Sequence, residues 1–250
     1  MAACKNEDKA EPSAPPVEGP KSLSYSIGRV YPHDTSSFTQ GLIIYKGTLY
    51  EGTGLEGKSK LMQVDINTGK ALKTVNIDPK YFGEGITILN DTVYQLTWQN
   101  KVVLAYTINN LEKVKQFHID TDGWGITTNG KELIVSTGSS NLYYYDPATF
   151  RLLRTQSITE GGTLSFNLNE LEYIDGFIYA NQWQAPYILK IDPATGTVVA
   201  KANLEDVWEL VKRKDAAADV PNGIAYDSAT KKMYVTGKLW PELYEIQLSK

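Results

Sequence analysis

One short unit recurs five times along this chain, and that repetition constrains the fold more than any other feature. Each copy sets a polar or aromatic residue before glycine or glutamate, then an apolar strand, a tight polar turn and a second strand. The copies read Gln40-Gly41-Leu42-Ile43-Ile44, Glu84-Gly85-Ile86-Thr87-Ile88, Trp124-Gly125-Ile126-Thr127-Thr128, Asn169-Glu170-Leu171-Glu172-Tyr173 and Asn222-Gly223-Ile224-Ala225-Tyr226. They stand roughly 40 to 50 residues apart, the length a propeller blade of four short strands requires. Lys46-Gly47, Asn90-Asp91, Asn129-Gly130 and Asp175-Gly176 are hairpin signals between the first two strands of a unit. The longest interval, between Asn169 and Asn222, contains Leu204 to Lys214, where Val207, Leu210 and Val211 have helical spacing. The fifth unit offers three strands before the chain ends, and the alternating segment from Leu23 to Val30 would supply its outer strand and close the ring. The expectation is an all-β fold: a five-bladed β-propeller with four-stranded blades, closed by the N-terminal strand, with one short helix inserted before the last blade.

Composition agrees. Sixteen Tyr against three Met favour strands over helices. A formal net charge of −4 argues against a nucleic-acid binder, which normally carries a basic patch or stripe. Cys4 is the single cysteine, so an intrachain disulfide is excluded. Ala2-Ala3-Cys4, followed by a polar stretch rich in Lys, Glu and Pro, is similar to the end of a bacterial lipoprotein signal. The expectation is lipidation at Cys4, residues 1–21 as a disordered tether, residues 22–250 as the propeller domain, and a place in the bacterial cell envelope, on the periplasmic side. Contact with a membrane would then run only through that lipid. The competing expectation is a cytosolic chain with a floppy N-terminus and an incidental thiol.

Aligning the units separates scaffold from chemistry. The Gly-apolar core repeats because each blade packs on its neighbours. The position before it varies: Gln40, Glu84, Trp124, Asn169, Asn222. It starts the innermost strand of each blade, so the five side chains should ring one mouth of the channel. A second varied column, one hairpin further on, reads Gly54, Trp98, Gly138, Trp183, Lys238. A carboxylate, side-chain amides, indoles and an ammonium therefore converge, and this diversity points to a bound ligand. Glu84 is the sole carboxylate in the two columns. The two histidines, His33 and His118, lie in different blades, which disfavours a His-based metal site. No serine stands in a nucleophile-elbow context.

At these residues the chain resembles the glutamine cyclotransferase family of plants and bacteria. The blocks that carry the resemblance are Tyr31-Pro32-His33-Asp34, Phe38-Thr39-Gln40-Gly41-Leu42, Phe82-Gly83-Glu84-Gly85, Leu96-Thr97-Trp98, Asp122-Gly123-Trp124-Gly125, Asn169-Glu170-Leu171-Glu172 and Val235-Thr236-Gly237-Lys238-Leu239-Trp240-Pro241. The resemblance implies a five-bladed propeller that converts N-terminal glutamine of peptides or proteins to pyroglutamate with release of ammonia. By position the family's pocket residues fall on Phe38, Gln40, Phe82, Glu84, Trp98, Trp124, Asn169, Trp183 and Lys238. Catalysis is expected from Glu84 as acid and base, helped by Lys238 and Asn169; Lys238, Asn169 or Gln40 would donate to the oxyanion or hold the glutamine amide, with Lys238 first at the oxyanion. Phe38, Gln40, Phe82, Trp98, Trp124 and Trp183 are expected to bind substrate. No cofactor or catalytic metal is expected, a structural Ca²⁺ in the channel stays open, and the chain is expected to act as a monomer. The rival readings are a non-catalytic envelope propeller that binds peptides or small ligands, and a propeller lactonase or lyase with a channel metal.

Overall fold

The computed structural model describes residues 18–249; Cys4 and most of the expected tether lie outside them. The chain begins with β1 (Lys21–Leu23) and β2 (Tyr25–Pro32). Then come β3 (Thr39–Tyr45), β4 (Thr48–Thr53), β5 (Lys60–Asp65) and β6 (Lys70–Asn76), which form one sheet. The next holds β7 (Gly83–Leu89), β8 (Thr92–Thr97), β9 (Val102–Thr107) and β10 (Lys113–His118). A third holds β11 (Ile126–Thr128), β12 (Leu133–Ser136), β13 (Asn141–Tyr145) and β14 (Leu152–Ser157). After a small hairpin of β15 (Thr159–Glu160) and β16 (Thr163–Leu164) come β17 (Leu168–Ile174), β18 (Phe177–Gln182), β19 (Tyr187–Asp192) and β20 (Thr197–Asn203). Helix α1 (Glu205–Lys214) precedes β21 (Pro221–Asp227), β22 (Lys232–Gly237) and β23 (Glu242–Leu248).

The fold is all-β with one helix, a propeller-like ring of sheets. Four sheets have four strands each, and one of these combines β21, β22 and β23 with β2. Tyr25 pairs with Leu248 and Pro32 with Glu242, so the two ends of the described chain lie side by side. The expectation of four strands in every blade needs correction at the sheet holding β17 to β20, which has seven. β1 pairs in parallel with Ala200 to Ala202 of β20, and Thr159 of β15 pairs in parallel with Thr197. The cause is the bare outer edge of β20: unpaired N–H and C=O groups on an edge recruit any strand that can reach them.

Turn chemistry follows the residues. Lys46 and Gly47, Asn90 and Asp91, and Asp175 and Gly176 all take positive φ, as two-residue hairpin turns that match strand twist require. The helix falls where Val207 and Val211 predict it. Both are fully buried against Trp240 and Tyr244, with Glu205 and Asp206 in its first turn and Lys212, Arg213 and Lys214 in its last, each suited to the helix dipole.

The ring is held at its axis. The innermost strands touch in the cyclic order β3, β7, β11, β17, β21 and back to β3. A Cβ added at Gly41 would collide with the Ile86 nitrogen, one at Gly85 would lie 2.7 Å from the Trp124 carbonyl, and one at Gly125 would collide with the Asn169 carbonyl. The repeated glycine is thus the point at which neighbouring backbones meet. In the fourth unit Glu170 replaces it. Its fully buried carboxyl accepts from Leu42 N at 3.3 Å and Ile224 N at 2.8 Å, joining β17 to β3 and β21. Burial and the nearby Glu172 push its pKa well above the ordinary carboxylate range, against the pull of the two N–H groups.

Gly41→Ala is expected to destabilise the chain by about 3 kcal/mol or more, because the methyl group meets backbone that cannot yield. Gly47→Ala, at a turn with open space around it and φ of 77°, should cost only about 1–2 kcal/mol of backbone strain. Urea unfolding of the two variants checks the contrast.

Candidate active site

Four of the five innermost strands carry an irregularity at the channel column; β11 pairs with β12 in regular register. Pairing registers shift between Thr39 and Gly41, Gly83 and Ile86, Leu168 and Leu171, and Pro221 and Ile224. Gln40, Glu84, Asn169 and Asn222 stand inside these bulges, and Trp124 lies two residues before the start of β11. A bulge inserts an unpaired residue and re-aims its side chain. Repeated around a ring, it turns side chains toward the mouth of the channel instead of the spaces between sheets.

The result is a cavity of about 360 Å³ lined by Phe38, Gln40, Phe82, Glu84, Trp98, Trp124, Asn169, Trp183, Lys238 and Asp219. Every pocket residue expected from the sequence lines it. Asp219, which the sequence reading missed, belongs to the loop after α1 and matches no repeating column. Asn222, expected at the mouth, stands behind it: its amide donates to Gln40 Oε1 at 3.1 Å and to the Thr39 carbonyl at 2.9 Å. With that oxygen engaged, Gln40 offers its N–H groups to the cavity.

The walls are aromatic. Phe38 meets Phe82 edge-on at 6.2 Å, and Phe82 meets Trp98 at 5.8 Å. Across from them Trp124 and Trp183 form a second edge-to-face pair at 5.4 Å. Two glycines of the second column make room for this packing. A Cβ at Gly54 would lie 2.5 Å from the Phe82 ring, and one at Gly138 would lie 2.5 Å from Trp124. Gly138 also has φ of 73°, a conformation that favours glycine. These positions seat the rings; they present no chemistry of their own.

Glu84 is 4% exposed and Lys238 5%. Glu84 Oε2 and Asn169 Oδ1 are buried without a hydrogen-bond partner among the described residues. Buried polar atoms normally find partners, and these two acceptors belong to residues that line one cavity. Burial holds the Glu84 carboxyl well above its ordinary range, with the Lys238 charge pulling the other way. Burial also lowers Lys238, opposed by the charges of Glu84 and Asp219. Lys238 Nζ sits 4.7 Å from the Phe38 ring centroid, where the π face favours its cationic form. Among the described residues no three His, Cys, Asp or Glu side chains cluster as a metal centre would need.

Fold and site together define a propeller-like protein with an acid–base pocket at one mouth of its channel. The family model for glutamine cyclotransferase matches residues 1–248. The chain is 43% identical over 235 residues to the glutaminyl-peptide cyclotransferase of Arabidopsis thaliana, covering 90% of this chain and 73% of the plant protein. The crystal structure of Myxococcus xanthus glutaminyl cyclase superposes with a TM-score of 0.87 at 31% identity, covering 92% of this chain and 98% of that one. This chain belongs to the glutamine cyclotransferase family.

Gly54→Ala is expected to push the Phe82 ring into the cavity and against Trp98. A change in the tryptophan emission spectrum, absent in Gly47→Ala, is the readout.

Proposed function

We propose that this chain is a glutaminyl-peptide cyclotransferase that closes N-terminal glutamine to pyroglutamate and releases ammonia. Its family and the names of the two relatives support the activity. The observation that carries the mechanism is the buried Glu84 carboxyl with one oxygen unpartnered in an aromatic cavity.

The substrate's amine and its side-chain carbonyl are already tethered, so the enzyme's task is to fold the glutamine into an attacking geometry and to move one proton. The α-amine has an ordinary pKa of about 7.7–8.0 and arrives mostly as ammonium. Its positive charge favours the carboxylate form of Glu84. The ammonium first gives one proton to solvent, which frees the nitrogen lone pair; the nitrogen then attacks the amide carbon, forming the ring C–N bond, and Glu84 takes a second proton from it. As the tetrahedral centre collapses, the bond to the amide nitrogen breaks and Glu84 returns the proton, so ammonia leaves. No water is consumed. Lys238 and the N–H groups of Gln40 supply donors for the developing oxyanion, and Asn169 Oδ1 accepts from the substrate amide. The aromatic walls exclude water and keep these charges strong.

The same reading counts the seven-stranded sheet as the fifth blade and β2 as the closing strand, supported by the cyclic contact of innermost strands. Residues 22–250 form the catalytic domain. A lipid on Cys4 and a place on the periplasmic side of a bacterial envelope rest on Ala2-Ala3-Cys4 and the polar stretch behind it.

With a Gln-initiated dipeptide and EDTA present, the wild type is expected to release ammonia and Glu84→Gln to lose at least about 100-fold in kcat. Absence of release under any condition would favour a binding module, and EDTA-sensitive release would overturn the metal-free mechanism. A second expectation concerns pH. Glu84 must lose its proton to act as base, so activity rises with pH through its elevated pKa. Lys238 holds that pKa down, so Lys238→Met should move the acidic limb of the rate profile to higher pH as well as lowering kcat.

A further inference from the structure

The turn that carries Lys238 is strained and heavily tied. Leu239 has φ of 61°, a conformation that costs a branched side chain about 1–2 kcal/mol and persists only where surroundings over-determine it. Lys238 exchanges backbone bonds with both sides of its cradle, N–H to the Val220 carbonyl at 3.1 Å and carbonyl from Asp219 N at 2.9 Å. Leu239 N donates to the Ser37 carbonyl at 2.8 Å. The exit of the turn depends on His33, whose backbone N–H donates to the Pro241 carbonyl at 2.9 Å and whose Nδ1 lies 2.7 Å from the Trp240 carbonyl oxygen.

The far side of the imidazole meets Glu51 on β4. His33 Nε2 is 3.1 Å from Glu51 Oε1, and Thr39 donates its hydroxyl to the same oxygen at 2.7 Å. Both side chains are 2% exposed. A carbonyl oxygen only accepts, so Nδ1 must carry hydrogen. A carboxylate likewise only accepts, so Nε2 carries hydrogen too when Glu51 is ionised. The arrangement is built for a doubly protonated ring. The mechanism above leaves this buried pair unused.

We infer that the His33–Glu51 pair is a positioning device for Lys238, holding the Gly237–Pro241 turn in place while His33 keeps both ring protons. The inference rests on the catalytic role given to Lys238. Loss of the Nε2 proton sets an imidazole lone pair against the lone pairs of Glu51, and the pair separates. Burial alone would lower the pKa of His33, but the charge and hydrogen bond of Glu51, the Trp240 carbonyl and the charge of Asp34 outweigh it, and the net shift is upward. Glu51 on β4 and Asp34 on the segment of His33 itself are the charged groups acting on the ring. The sign follows: a raised histidine contributes fully below its unfolded value, and its contribution is lost as pH rises through the folded one. The clamp therefore holds below the raised pKa of His33 and releases as pH rises through it.

Two variants test this. His33→Asn keeps a donor toward Trp240 but gives up the reach to Glu51, and should lower kcat about tenfold with KM changed less than about twofold, a misplacement effect. Glu51→Gln lets a neutral imidazole bridge the same atoms, because the new amide can donate to Nε2. It should keep kcat at neutral pH within about twofold and move the alkaline limb of kcat to higher pH. Imidazole ¹⁵N resonances should show His33 doubly protonated at pH 7 in the wild type and neutral in Glu51→Gln. An unchanged alkaline limb in Glu51→Gln, with His33 neutral by NMR, would overturn the positioning role and leave the cyclisation reading intact. If the wild type releases no ammonia at all, the cyclisation reading fails by itself. The clamp is then judged by the Lys238 ε-methylene resonance: it should move as His33 loses its proton, and a stationary signal overturns it.

Discussion

Around the channel axis, Gly41, Gly85 and Gly125 let backbone meet backbone where any side chain would stand. The rest of the molecule depends on that approach. It brings the innermost strands close enough for their first residues to face one cavity, and it leaves no slack by which one sheet could rotate without moving the next. Where the glycine is missing, Glu170 takes its place and spans to two other strands. A buried carboxyl in that position is costly unless both oxygens are bonded, and here both are.

How much of this could be read from the sequence depended on whether a feature repeats. The ring was legible because an apolar core behind a Gly, or once Glu170, recurs in every unit, and the turns were legible because positive φ favours Gly, Asn and Asp. Gln40, Glu84, Trp98, Trp124, Asn169, Trp183 and Lys238 were legible because varied residues in a constant frame stand out, whereas Phe38 and Phe82 lie in neither column and came from the family blocks alone. The bulges were not legible: a bulge belongs to the pairing of two strands, and the residues on either side of Glu84 do not announce it. Asp219 lies outside any repeat, so no alignment of units could find it. Gly54 and Gly138 sat in the right column, yet their function is the space they leave for Phe82 and Trp124. The seven-stranded sheet escaped because strands as short as Thr159–Glu160 have no hydrophobic period to read.

Glu84 and Lys238 show how one environment shifts an acid and an amine in opposite directions. Burial raises the acid and lowers the amine, so their proton affinities approach each other. Each also opposes part of the other's shift, because the carboxylate favours the ammonium and the ammonium favours the carboxylate. A water-filled mouth would restore each to its ordinary range, which is why Phe38, Phe82, Trp98, Trp124 and Trp183 belong to the electrostatics as much as to the shape of the site.

The amide of Asn222 has a consequence for what the pocket accepts. By occupying Gln40 Oε1, it makes Gln40 a donor toward the cavity, while Asn169 Oδ1 stays an acceptor. The pocket thus presents hydrogens on one side and a lone pair on the other. A primary amide answers both. A carboxylate of the same length answers only the first: it would leave Asn169 facing oxygen against oxygen and add a second negative charge beside Glu84. On this account glutamate is refused by a residue that never touches it, through the orientation Asn222 imposes on its neighbour.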